Sequence, residues 1–402
     1  MDAMVIIGAG ECGTRAAFAL REQGWDGAIT LIGAEAGLPY ERPPLSKPLA
    51  GAVHRKPICD DAALRAARID YLPGVSATAV DAPGRSVRLS DGRRLPWHRL
   101  LMATGARPRR LACPGAGLAR GFRSDADAAR IFAGGTAGAR VAIIGAGLIG
   151  MELAAALRVR GAEVAVVESA AAPLGRAVPP HLAARLHARH LAEGVTFHLG
   201  AGVAALEEGG VILADGRRIP ADHIVAAIGV SPDTALAEAA GLDCANGILT
   251  DRFLCTSHAG ILAAGDCASV RDEAGVARRS ESWRDARLQA ETAARNMLGA
   301  SQAHVARPWF WSDQFDLGLQ IAGRPSTDQA MVRRIIAQDA ELSFHLDGGR
   351  LVAAAGLGPG NCVARDIRLA EMLIEADARP DPSALADPAI TLKALLRTAK
   401  AA

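Results

Sequence analysis

Met4-Val5-Ile6-Ile7 runs directly into Gly8-Ala9-Gly10-Glu11-Cys12-Gly13, and a later apolar run, Ala28-Ile29-Thr30-Leu31-Ile32, closes on Glu35. The residues between, Thr14 to Gln23, carry a helical pattern. The order strand, glycine turn, helix, strand, acid is that of a dinucleotide-binding unit. Gly8 permits the tight turn, Gly10 lets backbone approach a pyrophosphate, and Gly13 lets the helix pack on the strand. Amides at a helix N-terminus bind the pyrophosphate, and Glu35 can accept from ribose hydroxyls.

The same pattern returns. Arg140-Val141-Ala142-Ile143-Ile144 leads into Gly145-Ala146-Gly147-Leu148-Ile149-Gly150, Met151 to Arg160 reads as a helix, and Glu163-Val164-Ala165-Val166-Val167 closes on Glu168. Two such units in one chain imply two dinucleotides on two domains. Ser169-Ala170-Ala171 brings no cation near Glu168, so this acid accepts from a 2′-hydroxyl and repels a 2′-phosphate, favouring NADH over NADPH.

Composition narrows the classes. Of 402 residues half are apolar, enough for two or three cores. A formal charge of +2 gives no reason to expect nucleic acid or an acidic membrane surface. No stretch approaches the run of about eighteen apolar residues that a membrane helix needs. The opening strand leaves no room for a signal peptide, so a cytoplasmic protein is expected. The seven cysteines are scattered without Cys-x-x-Cys or metal-ligand spacing and read as reduced core or loop residues. His187 and His190 share a helical face with no acid or cysteine beside them, and read as solvated surface rather than a metal site.

Between and beyond the two units, Pro43 and Pro44 fix a rigid loop that presents Arg42 and Lys47. Lys47 stands out because the chain has 41 arginines and four lysines. Ile69 to Leu89 reads as hairpin-like, with a turn at Asp91-Gly92, and a buried strand ends at Thr104-Gly105. Gly-rich loops from Pro114 to Gly138 read as a crossover between domains. A second strand-then-glycine ending falls at Gly229, and another at Gly265-Asp266. Glu281 to Met297 reads as a helix carrying Trp283 near its start. From Leu317 the pattern becomes antiparallel, with the sharpest hairpin signal at Asp347-Gly348-Gly349, then a helix over Val363 to Ala376. The expected fold is α/β: two Rossmann-like dinucleotide-binding domains and a C-terminal α+β domain. The expected division is residues 1–110 with 234–306, then 111–233, then 307–402.

The two glycine units, Pro39-Tyr40-Glu41-Arg42-Pro43-Pro44-Leu45-Ser46-Lys47, Ala103-Thr104-Gly105, Ala264-Gly265-Asp266 and Pro308-Trp309-Phe310-Trp311-Ser312-Asp313-Gln314 occur in this order in one family. Over essentially its whole length the chain resembles the FAD-dependent NADH:ferredoxin reductases of bacterial oxygenase systems. Those enzymes are similar to rubredoxin and putidaredoxin reductases and share the glutathione-reductase-like fold. The resemblance implies FAD on the first unit, with Gly8, Gly10 and Gly13 at its pyrophosphate and Glu35 at its adenosine ribose. It places Arg42, Lys47, Arg123 and Asp266 at the phosphates, flavin and ribityl chain. It implies NADH on the second unit through Gly145, Gly147, Ile149, Gly150, Glu168 and Arg176. Lys47 and Glu152 would pair beside the flavin, and Trp311 would lie near the isoalloxazine ring. Thr104, Gly105, Gly229, Gly265 and Trp283 complete the candidate cofactor-binding residues; no metal ligand is among them.

The implied reaction takes two electrons from NADH and returns them singly to a small iron–sulfur ferredoxin, 2Fe–2S in type, or to rubredoxin. Disulfide reductases of this fold need a Cys-x-x-Cys that this chain lacks. An NADH oxidase or peroxidase would need a redox cysteine beside the flavin, and an interaction flavoprotein similar to apoptosis-inducing factor would carry a targeting segment and long insertions. Glu11 departs from the family pattern, because a carboxylate in a phosphate loop is repulsive unless it points into water. An acidic ferredoxin calls for a basic docking face, for which Arg295, Arg307, Arg324, Arg333 and Arg334 are candidates.

Overall fold

A computed structural model describes residues 3–47, 55–175 and 177–401. These fall into two compact units, the first made of residues 3–44, 55–107 and 230–306, the second of residues 45–47, 108–229 and 307–401.

In the first unit five parallel strands form one sheet in the order Ile261–Ala263, Arg99–Met102, Ala3–Ile7, Ala28–Gly33, Ile69–Pro73. The central strand is buried on both faces, which is why it reads as an unbroken apolar run rather than an alternation. On one face lie the helices Glu11–Glu22 and Trp283–Met297, whose fully buried Ala16, Ala17, Ala290, Ala293 and Ala294 leave no bulk to hold the packed elements apart. On the other face, Val80, Val87, Leu89 and Trp97 pack against Val5, Ile7, Leu100 and Met102. Each such fully buried aliphatic side chain stabilises the fold by about 1.5–3 kcal/mol.

Ile69–Pro73 therefore does not belong to a hairpin; it pairs in parallel with Ala28–Gly33 as the sheet's edge. The antiparallel meander begins after it, Ala77–Asp81, Ser86–Leu89, Arg94–Pro96, with Asp91-Gly92 turning its last two strands. Asp91 Oδ1 accepts the Arg93 amide at 3.1 Å and Gly92 takes φ +88°.

The second unit contains the same arrangement: Ala119–Gly121, His223–Ala226, Arg140–Ile144, Glu163–Glu168, Thr196–Leu199, all parallel. The segment expected to be loop from Pro114 to Gly138 holds a strand and the helix Asp125–Gly134, started by a capping box between Ser124 and Asp127. Both helices after the glycine loops start earlier than their apolar periodicity suggests, at Glu11 and Leu148, because Gly10 and Gly147 are already the N-caps.

Residues 309–359 form an antiparallel sheet ordered Trp309–Gln314, Leu317–Gly323, Arg350–Pro359, Ala340–Asp347, Ala330–Ala337. The helix Ala364–Glu375 contributes Ile367, Ala370 and Leu373 to its core. The Trp-rich run is an edge strand.

Candidate functional site

In the first glycine loop Gly8 sits at φ +109°, and a Cβ there would lie 2.1 Å from the Ala103 carbonyl oxygen. A Cβ on Gly13 would lie 1.9 Å from Gly8 O, so the helix rests directly on the turn. Gly10 faces open space, and as N-cap it offers no side chain to the amides that follow. An uncapped helix start with a clear approach is what a pyrophosphate requires. The residues present fit that group.

Glu11 does not point into water. Its side chain is 10 % exposed, with Oε1 3.0 Å from Arg15 Nε and 3.7 Å from Arg287 Nε. Two guanidinium groups thus balance the carboxylate in the loop, and Arg287 in turn lies 5.0 Å over the Trp283 ring. Gly265, at φ +80°, packs on Cys12, and its amide donates to Gln289 Oε1 at 2.7 Å. Thr104 Oγ1 donates to Asp233 O at 2.6 Å, with Gly105 at φ +74°. Asp266 is half-buried, and its carbonyl accepts from Arg279 at 3.4 Å.

Glu35 is held by side chains. Arg42 Nη2 donates to Oε1 at 2.6 Å, and the Tyr40 hydroxyl donates to Oε2. Burial raises its pKa, but Arg42 and Tyr40 outweigh it and hold the carboxyl below the ordinary range. The structure thus brings Arg42 to the acid of the first unit.

The second loop repeats the backbone and holds its acid differently. Gly145 takes φ +105°, a Cβ on Gly150 would meet Gly145 O at 2.0 Å, and Gly147 is again open and uncapped. Glu168 Oε2 accepts the Ala146 amide of the loop itself at 2.8 Å, and Oε1 accepts the Ala170 amide at 2.9 Å and Ser169 Oγ at 3.1 Å. Burial opposes ionisation here too, and the backbone amides overcome it, lowering the pKa. Ile149 is exposed beside the loop, and Gly229 at φ +91° accepts from the Arg109 amide at 3.0 Å. Arg123 lies on this unit, its amide donating to Asp127 Oδ2 at 3.2 Å. Arg176 lies outside the described residues.

Also in the second unit, Lys47 meets Glu152. Lys47 Nζ lies 3.1 Å from Glu152 Oε1, 3.9 Å from Asp313 Oδ2 and 4.8 Å from the centre of the Trp311 ring. Glu152 is 4 % exposed, and a charge so buried needs both a counter-ion and hydrogen bonds. It has them: the Ser46 hydroxyl donates to Oε2, and Ser312 Oγ donates to Oε1 at 2.7 Å. Trp309 stacks on Trp311 with centroids 5.3 Å apart. From sequence alone Ser46, Ser312 and Asp313 are given no role, although Ser46 directly precedes Lys47 and Ser312 directly follows Trp311.

Two expectations fail. His190 is not solvated: it is fully buried, bonded to Gln314 at 3.0 Å, with its pKa pushed down by burial to about 4. Its partner is 124 residues away, beyond any local pattern. Of the five candidate docking arginines, Arg334 is not on the surface. Arg334 is 5 % exposed and donates to the carbonyls of Pro388 and Ile390, because its strand position faces the core. Arg333 pairs with Glu341 at 2.7 Å, Arg307 with Glu375 at 3.0 Å, and Arg295 donates to Gln302 at 2.6 Å. Arg324 is exposed.

All seven cysteines are free, and Cys12 and Cys267 are buried, which raises both thiols. Among the described residues no group of three His, Cys, Asp or Glu could hold a metal, and no helix is long and apolar enough to cross a membrane.

Residues 2–290 match the family model described as pyridine nucleotide-disulphide oxidoreductase, and residues 309–396 the model described as reductase C-terminal. The chain is similar to the ferredoxin–NAD(+) reductase component of the anthranilate 1,2-dioxygenase system of Burkholderia cepacia, with 41% identity over 407 residues, 98% of this chain and 99% of that one. It is similar to putidaredoxin reductase of Pseudomonas putida, with 35% identity over 421 residues, 100% of this chain and 98% of that one. Among solved structures it is similar to the covalent putidaredoxin reductase–putidaredoxin complex, at TM-score 0.91 and 33% identity over 100% of this chain and 99% of that one.

Proposed function

The chain belongs to the pyridine nucleotide-disulphide oxidoreductase family, and from that premise we propose that it is an FAD-dependent NADH:ferredoxin oxidoreductase supplying an oxygenase. The observation that carries this is the pair of open, uncapped glycine loops, each with its own ionised acid, in a chain without a Cys-x-x-Cys. Held by the first glycine loop, FAD would supply the two-electron to one-electron exchange between NADH and a small iron–sulfur protein.

The chain's own residues bind, orient and balance charge. Gly8, Gly10, Gly13, Glu35, Arg42, Thr104, Gly105, Arg123, Gly265, Asp266 and Trp283 are assigned to FAD. Gly145, Gly147, Ile149, Gly150, Glu168, Arg176 and Gly229 are assigned to NADH. Lys47, Glu152 and Trp311 are assigned to the flavin reaction: the buried Glu152 fixes the Lys47 ammonium, and Trp311 presents its face to that cation. Three domains are proposed, 1–110 with 234–306, 111–233 and 307–402, and the protein is expected to work in the cytoplasm with a 2Fe–2S ferredoxin or rubredoxin.

The test is direct. The purified protein should be yellow, with about one FAD per chain on release. A colourless protein that takes up no added FAD would remove the premise of the reaction.

A further inference from the structure

Of the donors that meet Glu152, one belongs to a chain that leads back through the core. Ser312 Oγ donates to Glu152 Oε1 at 2.7 Å, Gln314 Nε2 donates to Ser312 Oγ at 3.0 Å, and Gln314 Oε1 faces His190 Nε2 at 3.0 Å. Ser312, Gln314 and His190 are each 0 % exposed, so solvent cannot replace a missing partner.

The direction of this chain is fixed by its two ends. A serine hydroxyl has one proton, and an ionised carboxylate only accepts. Ser312 gives its proton to Glu152 and must therefore accept from Gln314, which turns the amide nitrogen toward Ser312 and the amide oxygen toward His190. That oxygen cannot donate, so the imidazole proton sits on Nε2. The other ring nitrogen agrees: Nδ1 is buried without a hydrogen-bond partner, where a proton would be an unpaired donor. Phe315 stands edge-on to the imidazole at 4.8 Å and Phe197 at 6.1 Å, closing the pocket around it.

We propose that His190, Gln314 and Ser312 are positioning residues for the Lys47–Glu152 pair, a one-way chain of donors that starts at the neutral imidazole and aims the Glu152 carboxylate at Lys47. Each donor polarises the next, so the carboxylate receives a stronger hydrogen bond than an isolated serine would give. Lys47 has a second acid within reach, Asp313 at 3.9 Å, whose side chain is 44 % exposed. When Glu152 loses the Ser312 donor, the ammonium drifts toward that solvated acid. The effect on turnover rests on the function proposed above; the direction of the chain does not.

Two measurements on the full-length holoenzyme test the two parts. In 15N-histidine NMR at neutral pH, with His190→Gln for assignment, His190 is expected to be protonated at Nε2 and bare at Nδ1. The opposite tautomer overturns the chain's direction. In stopped-flow reduction of the bound flavin by NADH, Ser312→Ala should lower the limiting rate constant about tenfold while NADH half-saturation moves less than about twofold. Ser312→Thr, which keeps the hydroxyl, should stay within about twofold of the parent, and Gln314→Glu, which offers Ser312 a competing acceptor, should behave like Ser312→Ala. A parent-like rate in Ser312→Ala, or an equal loss in Ser312→Thr, overturns the positioning role. A parent enzyme whose flavin NADH does not reduce overturns the proposed function instead, and the tautomer measurement still decides the chain.

Discussion

The two glycine loops have nearly the same backbone and opposite ways of holding their acid. Gly8 and Gly145 take φ +109° and +105°, and the would-be Cβ atoms of Gly13 and Gly150 meet a carbonyl at 1.9 and 2.0 Å. Yet Glu35 is gripped by the side chains of Arg42 and Tyr40, whereas Glu168 is gripped by the amides of Ala146 and Ala170. An acid neutralised by a guanidinium offers little net charge to a ligand. An acid held by amides keeps its full charge, aligned by the glycine loop itself. On the proposed function, the same turn would serve a resident cofactor in one case and charge discrimination in the other.

The largest expected effect comes from the shared feature. Gly13→Ala and Gly150→Ala each drive a methyl into backbone, costing about 3 kcal/mol of stability at their own loops. Their phenotypes should differ: Gly13→Ala loses FAD content on purification, while Gly150→Ala stays yellow and loses reduction by NADH. FAD release spectra and anaerobic titration separate them, and identical losses would mean the two loops do not bind different dinucleotides.

Next comes the acid that keeps its charge. Glu168→Arg should narrow the ratio of kcat/KM for NADH over NADPH about ten- to hundredfold, about 1.4–3 kcal/mol. An unchanged ratio would place coenzyme selection elsewhere, with Arg176 the next candidate.

The smallest effect is on stability against pH. Both acids have lowered pKa values in the folded chain, so each stabilises it above the unfolded carboxylate value near pH 4.3. That contribution disappears as pH falls through the folded values, so thermal stability should drop on acidification below about pH 4. Arg42→Met should reduce the Glu35 share, by less than about 1 kcal/mol because the pair is partly exposed, while Tyr40 keeps part of it and the Glu168 share stays intact. Melting curves across pH for both proteins check it; parallel curves of equal height would show that Arg42 adds nothing to Glu35.

What the sequence reveals follows the range of the interactions. Both nucleotide units are legible because strand, turn, helix and acid lie within about thirty residues and each glycine has a local steric reason. The Lys47–Glu152 pair is legible only through family motifs, since 105 positions separate its members. His190 is misread because a helical face with no nearby partner looks solvated, while its partner Gln314 arrives on a strand of the C-terminal sheet. Ile69–Pro73 is misread for a related reason: alternation marks a strand but does not say whether its neighbour is adjacent or comes from Ala28–Gly33. Arg334 is misread differently. Counting arginines does not show that Arg334 takes a core position on its strand, nor that Arg333 shares Glu341 with Arg185 while Arg307 pairs with Glu375.

The most direct test is NADH-driven reduction of cytochrome c with and without a purified 2Fe–2S ferredoxin, with oxygen consumption followed alongside. Reduction should depend on the ferredoxin and saturate with it, while NADH-dependent oxygen uptake without ferredoxin stays slow. Rapid oxygen consumption that ferredoxin neither accelerates nor diverts would contradict the proposed electron path and identify an oxidase instead.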